Sequence, residues 1–306
     1  MQPDQPAAES LSRIAVPELD AILGHPFTVL DDGFVRAIDY MGSDAAIVQA
    51  ARVSYGAGTK KASDDEHLIR YLIRHRHTTP LEMCEIKFHV RVPMDIWRQW
   101  VRHRTANINE YSTRYSIAID SAHATAPDAW RAQATTNRQG SAGTLDAATG
   151  RALSEAEARL HENTRTAYRM RIDAGVAREQ ARKDLPLSTY TEAYWKCDLH
   201  NLLHFLSLRM EAAAQYEIRE YAATIGREIV AKWVPATWRA FEDYTLGACT
   251  LSHHEKIMLG HLARQAPEAA RNYAADAHLI QNGKPGREIR EFEAKLLDMG
   301  IVSPWA

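Results

Sequence analysis

"EIKFHVRVPMDIWRQWVRHR", residues 85–104, decides how this chain is read. Ile86, Phe88, Val90 and Val92 alternate with Glu85, Lys87, His89 and Arg91, the period of a strand with one buried and one wet face. Pro93 ends that strand. Ile96, Trp97, Trp100 and Val101 then fall on one helical stripe, leaving Gln99, Arg102 and His103 toward another side. A strand passes directly into a helix, and the helix ends in the polar stretch "RHRTANINEYSTRY", residues 102–115.

Working outward, Ser63 and Glu66 form an S-x-x-E capping box, and Leu68, Ile69, Leu72 and Ile73 recur at helical spacing, so a helix is predicted over 64–76. On the other side, residues 122–150 are rich in Ala, Thr, Gly and Asn without periodicity and are predicted to form a long loop, usually functional or mobile at such a length. A second capping box, Ser154 with Glu157, and a terminating Gly175 bracket a long surface helix. A short helix over 177–185 stops at Pro186, and two apolar-striped helices over 198–232 break near Glu211. Beyond residue 247, a Ser252–Glu255 box and a helix over 287–299 read as an appended helical subdomain. The expected class is α+β, helix-rich, with an N-terminal arm (1–29), a main domain (30–246) and a helical C-terminal extension (247–306).

Composition narrows the function. With 306 residues and 45% hydrophobic content the chain can bury a sizeable core. Lys plus Arg number 37 against 39 Asp plus Glu, which offers no general attraction to nucleic acid or to an acidic membrane. Any cationic site is therefore local. No stretch approaches the 18 or so apolar residues of a membrane span, and the N-terminus lacks the pattern of a signal peptide, so a cytoplasmic protein is expected. Cys84, Cys197 and Cys249 are odd in number and far apart, which favours buried free thiols over disulfides or zinc pairs.

Cations in the last turn of a helix are favoured by the macrodipole alone, so Arg102, His103 and Arg104 carry little weight by themselves. The continuation carries more. Asn107, Asn109, Glu110, Ser112 and Arg114 supply donors and acceptors in quick succession, as a loop converging on a phosphate and a polar ring would. Charge-assisted bonds from Arg to phosphate contribute about 1.5–3 kcal/mol each, enough for three of them to hold a phosphorylated small molecule.

R-H-R, seven residues, then Ser is the signature of the flavin-dependent thymidylate synthases, and Arg102, His103, Arg104 and Ser112 match it. The resemblance continues through AARVSYG (50–56), HLIRYLIRHRHTTPLEMCEIKFHVRVP (67–93), GVAREQARKDLP (175–186) and DLHNLLHFLSLRMEAAAQYEIREYA (198–222), covering about residues 30–242. It implies a twisted mixed sheet flanked by helices, and a homotetramer whose active sites lie between subunits. It implies FAD as cofactor, methylenetetrahydrofolate as one-carbon donor, NADPH as reductant, and the conversion of dUMP to dTMP.

Residue roles follow from the same resemblance. Arg102, His103, Arg104 and Thr105 would contact the FAD diphosphate and adenosine, with Ser54, Thr79, Glu82 and Glu110 completing the cofactor site and His77 near flavin and folate. Gln99, Arg102, Glu110, Ser112, Thr113, Arg114, Arg182 and Arg209 match positions that hold dUMP, Arg114 and Arg182 at its phosphate. Arg209 would grip the uracil ring and stabilise negative charge there, which makes it the candidate catalytic residue. Asp198, His200 and His204 stand where many relatives have Asn, Arg and Asn approaching the flavin.

No cysteine falls in a matched substrate segment, so ring activation by a thiolate is not expected, and Ser112 lacks a Ser-His-Asp order. His200 and His204 have the spacing of two zinc ligands but lack the intervening glutamate and a third ligand, so no metal is expected. Two other readings stay open at this level: a flavoprotein that oxidises NADPH without methylating dUMP, and a nucleotide- or RNA-binding module on the same fold.

Overall fold

The computed structural model describes residues 13–53, 62–134 and 140–305, and the side chains of all of these but 62–64. The chain divides after Leu246 into two compact units. In the first, α1 (Pro17–Asp20), β1 (Phe27–Val29) and β2 (Gly33–Met41) lead into α2 (Asp44–Val53), α3 (Ala62–Arg74) and α4 (Thr79–Glu82). Then come β3 (Glu85–Pro93), α5 (Met94–Trp100), β4 (Asn107–Glu110), the strands β5 (Arg131–Gln133) and β6 (Ser141–Thr144), α6 (Ala147–Asp173) and α7 (Arg178–Ala181). β7 (Tyr190–Asp198), α8 (Leu199–Arg209), α9 (Tyr216–Thr224), α10 (Ala231–Trp233) and α11 (Pro235–Phe241) complete it, with π-helical turns at Ile225–Val230 and Glu242–Leu246.

Five strands make one sheet in the order β1-β2-β3-β7-β4. The α+β class is as expected, but every pairing in this sheet is antiparallel where a mixed sheet was expected. Alternation along β3 explains its central place: Ile86, Phe88, Val90 and Val92 are buried, facing Ala193, Trp195 and Cys197 of β7 across a nine-pair register. The helices cover that face. Trp100 at the end of α5 packs its ring 5.2 Å from Trp195, 5.0 Å from Phe205 and 5.8 Å from Tyr221. Removing a side chain of that size from such a core costs about 3–5 kcal/mol. The other face is polar, with the Lys196 ammonium 2.9 Å from Glu85 and His89 2.8 Å from Glu192 across neighbouring strands.

Gly33, at the turn into β2, shows why a side chain is excluded there. A Cβ would lie 1.9 Å from the Tyr221 hydroxyl, which donates to the Arg91 carbonyl at 2.7 Å, and 2.6 Å from the Val29 carbonyl oxygen.

Several local expectations change. Ser154 and Glu157 lie inside α6 rather than capping it; Asp146 is the N-cap, accepting from the Ala148 and Thr149 amides. The Ser154 hydroxyl instead donates to the Thr125 carbonyl and Glu157 accepts from the Thr125 amide, so both tie the helix to the preceding segment. That segment is not one long loop: β5 and β6 pair within it, and α6 starts three residues before its expected end. Gly175 does stop the helix region, with φ +78°. β1 begins inside the stretch assigned to the N-terminal arm. Cys84 and Cys197 are buried as expected, whereas Cys249 is exposed. The Ser63 side chain, and so its capping box, lies outside the described residues.

The second unit comprises α12 (His253–Ala263), α13 (Pro267–Asp276), the hairpin β8 (Ile280–Gln281) and β9 (Lys284–Pro285), and α14 (Arg287–Asp298). It has its own core around Met258, Ile289, Phe292 and Leu296. The Ser252–Glu255 capping box forms as predicted, and Lys295 pairs with Glu255 at 2.8 Å. No helix among the described residues is long and apolar enough to cross a membrane.

Candidate active site

β4 is an edge strand, exposed along its length, and it separates the cationic stretch into two groups. Four strand residues span about 10 Å. On the side where α5 delivers the chain lie Gln99, Arg102, His103, Arg104 and Thr105; on the far side lie Glu110, Ser112, Thr113 and Arg114.

The far group lines a cavity of about 490 Å3, closed opposite by Glu179, Arg182 and Lys183 from α7 and the 3-10 turn after it. The short helix predicted before Pro186 is what brings this second cationic group to β4. Arg182 donates to the Thr113 hydroxyl. Arg114 is 3.1 Å from the Glu179 carboxylate, with both side chains more than half exposed. The Ser112 hydroxyl accepts from the Arg114 amide at 3.3 Å. From β7, the buried Thr191 hydroxyl donates to Glu110 at 2.9 Å.

The near group gathers around α8. His103 is buried, its ring 5.6 Å from that of the exposed His204 and 3.2 Å (Nε2) from the Thr105 hydroxyl. Desolvation, with the His204 ring and the Arg209 guanidinium nearby, pushes its pKa below the ordinary value. Arg209 Nη2 donates to the Gln99 carbonyl at 3.4 Å, and Arg209 Nε is buried with no hydrogen-bond partner among the described residues. Arg102 and Arg104 are exposed and have no acidic partner among those residues. Two guanidiniums without an acidic partner among the described residues, with an orphaned buried N–H on Arg209 in the same group, suit an anionic, hydrogen-bonding group such as a flavin dinucleotide.

The profile of the family described as thymidylate synthase complementing protein matches residues 36–236. A flavin-dependent thymidylate synthase of Gluconobacter oxydans is 54% identical over 79% of this chain and 80% of its own. The chain belongs to the flavin-dependent thymidylate synthase family. Its relative in Ruegeria pomeroyi is 49% identical over 92% of this chain and 91% of its own, a share that runs into the second unit. Among solved structures, the UMP/dUMP methylase PolB of Streptomyces cacaoi, bound with 5-Br dUMP, is 31% identical with a TM-score of 0.65, over 72% of this chain and 98% of that one.

Within this family member, the residues named from sequence separate clearly. Glu110, Ser112, Thr113, Arg114 and Arg182 meet in one cavity. Arg209 does not line it; it stands with Gln99 and His103 in the near group. Asp198 caps α8, its two oxygens accepting from the Asn201 amide at 2.9 Å and side chain at 2.6 Å. His200 is half-buried on the first turn of α8, and no cluster of three ligand side chains that could hold a metal occurs among the described residues. Thr79 and Glu82 open and close the short α4, and His77 stacks on Tyr71 with ring centroids 5.7 Å apart. Ser54 lies outside the described residues.

Sequence reasoning missed Glu179, Lys183 and Thr191. Glu179 stands one helical turn before Arg182 and Lys183 follows it directly, so both could have been found there. Thr191 could not, because β7 was not foreseen. The thiols offer no nucleophile in this unit: burial pushes Cys84 up to about 11 and holds Cys197 well above the ordinary range.

Proposed function

We propose that this chain methylates dUMP to dTMP reductively, with methylenetetrahydrofolate as one-carbon donor and FAD, re-reduced by NADPH, as the redox cofactor. Family membership supports the overall reaction, and one geometric observation carries the substrate assignment: Ser112, Thr113, Arg114 and Arg182, from segments far apart in sequence, line a single cavity.

In this reading Arg114 and Arg182 neutralise the nucleotide phosphate, while Ser112 and Thr113 add hydroxyl contacts. Glu110, held by Thr191, accepts from a hydroxyl of the sugar. Arg209 lies over the uracil ring and stabilises charge on it as carbon–carbon bond formation proceeds, work that a thiolate would otherwise do. Arg102, Arg104 and Thr105 hold the FAD diphosphate, and the neutral His103 leaves the charge there to the two guanidiniums. When bound, the flavin supplies the hydride that completes the methyl group. The protein's share is orientation and fixed charge.

Arg209 lies outside the cavity of Arg114 and Arg182, so we propose a homotetramer in which one protomer presents Gln99, Arg102 and Arg209 to a nucleotide whose phosphate sits in its partner's cavity. The exposed edge of β4, with Ile108 exposed on it and Tyr111 just after it, supports an interface there. A mixing experiment tests this. Arg182→Ala and Arg209→Ala chains, each strongly impaired alone at low dUMP, regain part of the tritium release from 5-labelled dUMP when dissociated and reassembled together. Absence of recovery in verified mixed tetramers would place each site within one chain.

A further inference from the structure

Gln99 takes part in a one-way chain of hydrogen bonds. Its Nε2 donates to Gln215 Oε1, Gln215 Nε2 donates to Glu217 Oε2 at 2.8 Å, and Arg131 Nη2 donates to Glu217 Oε1 at 2.6 Å. The chain begins on α5, crosses the start of α9 and ends on β5. Nothing in the sequence joined these four residues.

Its direction follows from the Glu217 carboxylate. The side chain is only 12% exposed. Burial works to raise its pKa, but the hydrogen bonds from Arg131 and Gln215 outweigh that and hold it below the usual value. An ionised carboxylate only accepts. Gln215 therefore turns its NH2 toward Glu217, its carbonyl oxygen toward Gln99, and Gln99 must answer with an N–H. What remains without a partner among the described residues is the Gln99 side-chain oxygen, Oε1, and a second N–H, in a fixed order. An isolated glutamine could turn its amide either way at little cost; this one cannot.

We infer that Glu217, acting through Gln215, is a positioning residue that fixes the amide of Gln99 to select 4-oxo over 4-amino pyrimidine nucleotides. The inference rests on the dUMP reading above, in which Gln99 and Arg209, joined through the Gln99 backbone carbonyl, meet the base. A 4-oxo pyrimidine offers an N3–H donor beside a carbonyl acceptor, which pairs with the acceptor and donor left on Gln99. A 4-amino pyrimidine with its phosphate held in the same cavity presents an acceptor at N3 and a donor at the 4-amino group. That order meets the locked amide oxygen to oxygen-like nitrogen and N–H to N–H, and polar groups left facing their own kind once the nucleotide covers the amide discriminate strongly.

Two variants test it, each read by the dissociation constants of dUMP and dCMP on the flavin-loaded enzyme, with kcat and KM for dUMP alongside. Glu217→Gln lets the amides turn; Gln215→Met cuts the chain and leaves the Glu217–Arg131 pair in place. In the native chain dUMP binds at least about 10-fold more tightly than dCMP, and both variants shrink that preference about 5-fold or more, raising KM for dUMP more than they lower kcat. An unchanged preference in both variants, or equal weakening of both nucleotides, overturns the inference and leaves a packing role. A shift in Gln215→Met alone overturns the part given to Glu217. Failure of the native chain to bind dUMP would instead sink the substrate reading, and this inference with it.

Discussion

Arg114 and Glu179 face each other 3.1 Å apart at the cavity, an ion pair with both members more than half exposed. Such pairs contribute about 0–1 kcal/mol, far less than a guanidinium gains from a phosphate dianion. In the proposed dUMP site Glu179 would therefore compete weakly with the phosphate for Arg114. Glu179→Gln should tighten dUMP binding by about 2–5-fold, measured by calorimetry at low salt, with the gain fading as salt rises. Weaker binding in that variant would show that Glu179 aligns Arg114 instead.

Arg182 contributes a guanidinium that also engages the Thr113 hydroxyl. Arg182→Ala should weaken dUMP binding by about 10–100-fold, the loss of one charge-assisted contact, and leave the FAD content of the purified protein unchanged. Comparable loss of flavin would mean that the two groups divided by β4 are not separate subsites.

Arg209→Lys keeps the charge and loses the planar fork. Turnover should fall about 100-fold while FAD affinity, followed by flavin fluorescence, changes only a few-fold. Equal losses in turnover and cofactor affinity would contradict a role at the substrate ring.

His103 supplies a pH test. Its pKa is lowered in the folded chain from an ordinary 6.5, chiefly by burial. Below 6.5 the unfolded chain takes up a proton that the folded chain refuses, so the His103 contribution to stability is complete above 6.5 and shrinks as pH falls below it. The melting temperature should drop between pH 7 and pH 5, and His103→Asn should flatten part of that slope. An identical slope in the variant would assign the acid sensitivity to other groups.

Much of this was legible in local pattern. The alternation of residues 85–92 and the stripe of Ile96, Trp97 and Trp100 predicted β3 and α5, and the dense polar run after them predicted a site. β7 escaped because Tyr190 and Thr191, both buried, break the alternation at its start, and its later buried members, Ala193, Trp195 and Cys197, interleaved with Glu192, Tyr194 and Lys196, do not stand out as a run. The Ser154–Glu157 box misled because α6 already runs from Ala147, so the amides there are bonded within the helix and the two side chains bind Thr125 instead.

Sequence by itself determined the chemistry on offer: which guanidiniums, hydroxyls and amides this protein owns, and that its thiols stand outside the substrate segments. Tertiary structure alone decided which of them meet. Arg114 and Arg182 converge because α7 folds back toward β4; Arg209 does not join them because α8 leaves from the opposite end of β7. The direction in which Gln99 donates was equally invisible along the chain, since it is set by a carboxylate 118 residues away that only the packing of α9 against α5 brings within reach.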